Sequence, residues 1–255
     1  MPDAEVDVPL TGGNMNAVVR RGDAVHRSTG PWTPTIHRLL EHLAGKGIDC
    51  LPRPLGFDEQ GREMLTYLPG TVPGYPLPSW VWTDQVLAET GSLLARIHQA
   101  SAGFDHTNAV WQLLPHEPAE VICLNDVAPY NMVFDDDHQL VGLIDLDTAS
   151  PGPRVWDLAY LAYRLVPLSC AEDTGIGPIS LEERHRRLGL LADAYATAGD
   201  QVRISPTDVL RTAVQRLDEL AVFTADRAAV GATHVASHVA IYRTDAAWIE
   251  GELLR

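Results

Sequence analysis

Lysine is almost absent: Lys46 stands alone among 19 lysine and arginine residues. Any fixed cation elsewhere on the chain must therefore be an arginine, a planar fork rather than a mobile point charge. Cysteine is scarce as well. Cys50, Cys123 and Cys170 lie far apart with no C-x-x-C pair, which excludes a disulfide framework or a zinc-ribbon spacing and leaves reduced core thiols. No apolar run approaches the ~20 residues that span a bilayer. The opening MPDAEVDVPL is acidic and lacks the basic-then-apolar order of a secretory signal, so the expected compartment is the cytoplasm. Basic charge is outweighed, 34 acidic residues against 19 basic, for a formal net charge of -15. That field repels nucleic acid and anionic membrane, so neither is an expected partner, and it favours a cationic ligand.

Periodicity orders what remains. Ala17–Arg20 and Ala24–Arg27 flank the tight-turn signal Arg21-Gly22-Asp23 and read as a hairpin. Thr33-Pro34 opens a helix as cap and first-turn proline, with Ile36, Leu39, Leu40 and Leu43 on one face and Gly45-Lys46-Gly47 at its end. Residues 52–57 and 63–68 form a second hairpin around Asp58–Gly61, and Pro69-Gly70 begins a Pro/Gly-rich hinge reaching Pro78. A helix is expected over 82–102, short strands near 121–124, 132–134 and 140–144, and helices over 156–165, 181–198, 206–230 and 234–254. Asp135-Asp136-Asp137 reads as a solvated turn, and Asp218, Glu219, Asp226 and Asp245 as solvated helix faces in preference to the lining of an acceptor pocket. His98 and His106 have no metal-ligand spacing, and the tryptophans read as core or surface residues. A strand-rich first quarter followed by a helical body gives the class α+β, not a doubly wound sheet. The expected division is a lobe at 1–69 and a second at 70–255.

Chemistry concentrates in two segments. Leu124-Asn125-Asp126-Val127-Ala128-Pro129-Tyr130-Asn131 places an aspartate five residues before an asparagine, and Ile144-Asp145-Leu146-Asp147 follows one hairpin later. One carboxylate can orient an attacking hydroxyl and accept its proton. An amide oxygen and a second carboxylate suit Mg²⁺, a hard cation that takes oxygen ligands. The spacing is that of a kinase catalytic loop and its metal-binding aspartate.

With residues 121–131 and the run Ile144–Asp157, IDLDTASPGPRVWD, the chain resembles the aminoglycoside phosphotransferase and choline kinase family, more narrowly a branch of actinobacterial type. The resemblance spans nearly the whole sequence and implies a protein-kinase-like, two-lobed fold: a small β-rich N-terminal lobe with one helix and a larger, mainly helical C-terminal lobe. It implies Asp126 as catalytic base, Asn131 and Asp145 as magnesium ligands, Asp147 as a further metal or substrate contact, and Asp157 as a buttress of the catalytic loop. Gly12, Gly13 and Asn14 would cover the phosphates of ATP or GTP with backbone amides, and Tyr67 and Leu68 would receive the base. The acceptor would be a hydroxyl on a small molecule, with aminoglycosides and other antibiotics in the class. Two positions depart from the pattern. Leu124 stands where the family usually has histidine, and the phosphate-anchoring lysine is missing. Arg27 is the candidate in its place, with Glu41 or His37 as its partner on the helix.

Two other functions draw on the same residues. Asp145-x-Asp147-x-Thr148 fits the opening motif of haloacid dehalogenase-like phosphatases, but that fold needs a doubly wound sheet and a downstream cation. The chain reads as helical beyond Asp147 and has no lysine there. The departures at Leu124 and the missing lysine also suit a non-catalytic kinase-fold binding or immunity protein. Against that, the base and both metal ligands keep their spacing.

Overall fold

The computed structural model describes residues 7–10, 18–170, 176, 179–229 and 236–255. Two compact units emerge, one of residues 1–74 and 96–152, the other of 75–95 and 153–255.

The first unit is built on a five-stranded sheet. Strands β1 (Val8–Leu10), β2 (Val18–Arg21), β3 (Ala24–Arg27), β4 (Pro54–Phe57) and β5 (Glu63–Thr66) lie in the order β1-β2-β3-β5-β4. Helix α1 (Thr33–Gly45) is inserted between β3 and β4 and buries Ile36, Leu39, Leu40 and Leu43. The Thr33 hydroxyl does not cap the helix, contrary to expectation. It accepts the Gly30 N–H at 3.0 Å, and Trp32 takes the cap position. Beyond the end of helix α2 (Asp84–Ser101) come two small antiparallel ladders: β6 (Val121–Cys123) with β9 (Ser150–Gly152), and β7 (Met132–Phe134) with β8 (Leu140–Leu143). Strands β1 and β9 were not expected: each carries a proline, Pro9 and Pro151, and neither is an unbroken apolar run like Val121–Cys123 or Met132–Phe134. All strand pairings among the described residues are antiparallel, which removes the phosphatase's doubly wound sheet.

Two glycines let this unit close. A Cβ on Gly142 would lie 2.2 Å from the Cys50 carbonyl oxygen, which also accepts the Leu143 N–H at 3.1 Å. Strand β8 thus rests directly on the backbone that precedes β4. Gly70, at φ +144°, would bring a Cβ to 2.5 Å from the Phe134 carbonyl, where Thr71 bridges to β7. Only a residue without a side chain permits either approach. The turn at Asp135–Asp137 is solvated, as expected, and it is built on a side chain: Asp135 Oδ1 accepts the N–H groups of Asp137 and Gln139, and His138 sits at φ +60°.

The second unit is helical: α3 (Arg154–Leu165), α4 (Leu181–Ala198), α5 (Pro206–Ala229) and α6 (Ala236–Trp248), the last continued by a π-helical turn over Ile249–Leu253. Ser180 caps α4 by accepting the Glu183 N–H at 3.1 Å. Asp218, Glu219 and Asp226 are solvated as expected, but Asp245 is not. It is buried and accepts the Tyr163 and Ser169 hydroxyls, the Cys170 N–H and the Cys170 thiol. Those donors compensate the cost of burying the carboxylate. In turn, burial and the neighbouring Asp245 push the Tyr163 hydroxyl far up. No helix among the described residues is long and apolar enough to cross a membrane.

Candidate active site

Among the described residues, Arg27, Tyr67, Leu68, Asp126, Asn131, Asp145 and Asp147 all lie within the first unit. The β6–β9 ladder pairs Cys123 with Ser150 and sets the Asp126 loop beside the Asp145 loop. Asn125, at φ +66°, completes the join. Its buried side-chain amide donates to the Thr148 carbonyl and the Ser150 hydroxyl, both at 2.8 Å, and Thr148 Oγ1 donates to the Leu124 carbonyl at 2.9 Å. Leu124 itself is buried and lines a small void together with Leu143, Leu146, Asp126, Asn131 and Asp145. The polar tie between the loops therefore comes from Asn125 and Thr148, while leucine supplies packing at the position where histidine was expected.

Asp126 has both oxygens engaged. Tyr130 donates its hydroxyl to Oδ1 at 2.5 Å, and Asn131 Nδ2 donates to Oδ2 at 3.0 Å and to the Asp126 carbonyl at 2.9 Å. With its nitrogen turned to Asp126, Asn131 keeps its amide oxygen for a cation. The Ile144 N–H donates to the Asn131 carbonyl at 2.9 Å, so the two loops are tied at this end too. Asp145 sits at φ +61°, a left-handed backbone more tolerable for aspartate than for most residues, and its side chain is half exposed.

Arg27 unites the cluster. It reaches Asp145 at 2.8 Å, Asp147 at 2.5 Å and Glu63 at 2.6 Å. Its partner is therefore Glu63 on β5, and neither helix candidate fills that role. Glu41 points to solvent, and His37 contacts Glu63 instead. Burial opposes the Arg27 charge, but Asp147, Glu63 and Asp145 together raise its pKa well above the ordinary value. Burial pushes the Asp147 carboxyl up, Arg27 pulls it down, and Asp145 and Glu63 push it up again. Three carboxylates thus face one guanidinium, and every donor here is oxygen. Asn131, Asp145 and Asp147 consequently fit a hard divalent cation, which would relieve the excess negative charge.

Beside the cluster opens a cleft of about 360 Å³. Val18, Val25, Leu65, Val133 and Ile144 give it apolar walls, Tyr67, Leu68 and Tyr130 line it, and Arg27, Asn131 and Asp145 add polar groups. The Tyr67 ring is held by the Arg20 guanidinium 3.8 Å from its centroid, and its N–H is committed to the Asp23 carbonyl at 2.8 Å. Gly12, Gly13 and Asn14 lie outside the described residues. Asp157 is wholly buried in α3. Two residues with no expected role, Glu63 and Tyr130, touch the central groups. Tyr130 stood within the recognised motif, but Glu63 is visible only through the β3–β5 register.

A profile described as the phosphotransferase enzyme family matches residues 104–190. Over 205 residues the chain is 34% identical to the trifolitoxin immunity protein of Rhizobium leguminosarum bv. trifolii, covering 76% of each. The chain belongs to the phosphotransferase enzyme family. Solved structures agree on the fold of this phosphotransferase-family protein. A choline/ethanolamine kinase family protein from Mesorhizobium loti superposes with TM-score 0.66 at 14% identity, over 98% of this chain and 90% of the other. APH(2")-IIia, solved with GDP and kanamycin, superposes with TM-score 0.60 at 14% identity, over 97% and 95%. The α+β, two-lobed, kinase-like class expected from the sequence is the class these neighbours share.

Proposed function

We propose that this phosphotransferase-family protein is a magnesium-dependent small-molecule kinase of the cytoplasm, moving the terminal phosphoryl group of ATP or GTP to an acceptor hydroxyl. One observation carries the reading: the apolar cleft is lined by Arg27, Asn131 and Asp145, and two of its lining residues, Tyr130 and Asn131, donate to Asp126. A purine base suits the apolar walls, and phosphates suit a guanidinium beside a cation-binding carboxylate. The GDP-bound neighbour supports a nucleotide there.

Residues 1–69 would form the nucleotide-binding lobe and 70–255 the catalytic and acceptor-binding lobe, with Asn131 and Asp145 of the latter also lining the cleft. Tyr67 and Leu68 border the base, Gly12, Gly13 and Asn14 would cover the phosphates, and Arg27 would pair with them. Asn131, Asp145 and Asp147 would hold Mg²⁺, which when bound neutralises phosphate charge. Asp126 Oδ1 already accepts an O–H from Tyr130, and an acceptor hydroxyl would present the same donor. As the acceptor oxygen bonds to the terminal phosphorus, the bond to the leaving diphosphate breaks with its electron pair, and the hydroxyl proton passes to Asp126. Positioning and charge neutralisation would supply most of the acceleration. The net charge favours a cationic acceptor, and the kanamycin in the neighbouring structure has that character.

The immunity relative supports a second reading, a kinase-fold protein that protects by holding a toxin or nucleotide without turnover. Incubation with ATP or GTP, magnesium and a panel of aminoglycosides, nucleosides and peptides, followed by mass spectrometry, separates the two. A product heavier by one phosphoryl group supports the kinase. Tight acceptor binding with no such product, under conditions where nucleotide binds, favours the immunity reading.

A further inference from the structure

We propose that Glu63, seated by His37, is a positioning residue that aims Arg27 at the nucleotide phosphates; this rests on the kinase reading above. Arg27 and Glu63 are direct cross-strand partners in the β3–β5 ladder. The Glu63 side chain is 1% exposed, and a carboxylate so buried is costly without compensation. Its compensation comes from two sides. Oε1 lies 2.6 Å from Arg27 Nε, an ion pair without hydrogen-bond alignment. Oε2 lies 2.9 Å from His37 Nε2, and the imidazole is stacked on Phe57 with ring centroids 5.2 Å apart. The helix thus contributes an imidazole, and the carboxylate comes from the sheet. Glu63 holds the Nε edge of the fork from behind, which directs the two terminal nitrogens toward Asp145 and Asp147. The strand register fixes the partner, and the α1 imidazole seats it, so the cation is preset from both sides.

The test is a double-mutant cycle on the affinity for a non-hydrolysable ATP or GTP analogue with magnesium, read by calorimetry. Glu63→Gln keeps the shape and removes the charge, and it should weaken binding about tenfold. Arg27→Met should weaken it further, and adding Glu63→Gln to Arg27→Met should cost nothing more. His37→Leu should weaken binding about threefold, with recovery in His37→Gln, whose amide can donate to Glu63. Unchanged affinity in Glu63→Gln, or losses that simply add to those of Arg27→Met, would overturn the proposal while leaving the kinase reading intact. Absence of nucleotide binding by the wild type would overturn both. If Glu63→Gln does not fold, the cycle of His37→Leu with Arg27→Met decides by the same criterion.

Discussion

Two arginines, each more than nine-tenths buried, are held in opposite ways in the two units. Arg27 faces carboxylates on Glu63, Asp145 and Asp147 and lines a cleft. Arg187 donates to the main-chain carbonyls of Trp82 and Leu165, at 2.9 and 2.8 Å, and to Asp84 at 3.2 Å. Carbonyls at loop and helix ends need donors, and a guanidinium that serves them is a fastening. A guanidinium among more carboxylates than it can neutralise leaves a negative charge that a bound cation would offset. Burial alone does not separate these roles; the identity of the acceptors does.

The contrast can be broken first at its chemical end. Asp126→Ala should lower the turnover number about a thousandfold, within the range for losing a positioned base, while nucleotide affinity and melting temperature stay near wild type. Steady-state kinetics beside a thermal melt check this. At the structural end, Arg187→Met should destabilise the fold by about 3 kcal/mol, because two buried carbonyls lose their donor, with nucleotide affinity unchanged in the protein that remains folded. A variant that lost affinity but kept its stability would erase the distinction.

A smaller effect sharpens the picture within the first unit. Burial works to raise the Asp58 carboxyl, but hydrogen bonds from His26, Arg62 and Gln60 outweigh it and hold the pKa well below the usual range. A carboxyl with a depressed folded pKa stabilises fully above its unfolded value near ~4, and that stability is lost as the pH falls below it. Asp58→Asn should therefore flatten the decline in melting temperature below about pH 4.5. An unchanged acid limb would show that Asp58 does not contribute to it.

Much of the site was legible because its spacing is local. Asp126 and Asn131 share one loop, and a four-residue turn returns the chain to Asp145. Glu63 escaped because β3 and β5 are neighbours only after α1 and β4 have been threaded between them, so the pair is separated by 36 positions in sequence. Asn125 escaped because its function depends on a left-handed backbone, which aims its amide at Thr148 and Ser150. Asp245 was misread because helical spacing reports which face a residue occupies, not whether a loop such as Ser169-Cys170 covers that face.

The most direct test of the central claim is a calorimetric titration of ATP and GTP, with and without magnesium, into the wild type and Asp145→Ala. The account predicts binding of at least one nucleotide that requires magnesium and is lost in the variant. Magnesium-independent binding that survives in Asp145→Ala, or no binding of either nucleotide, would contradict it.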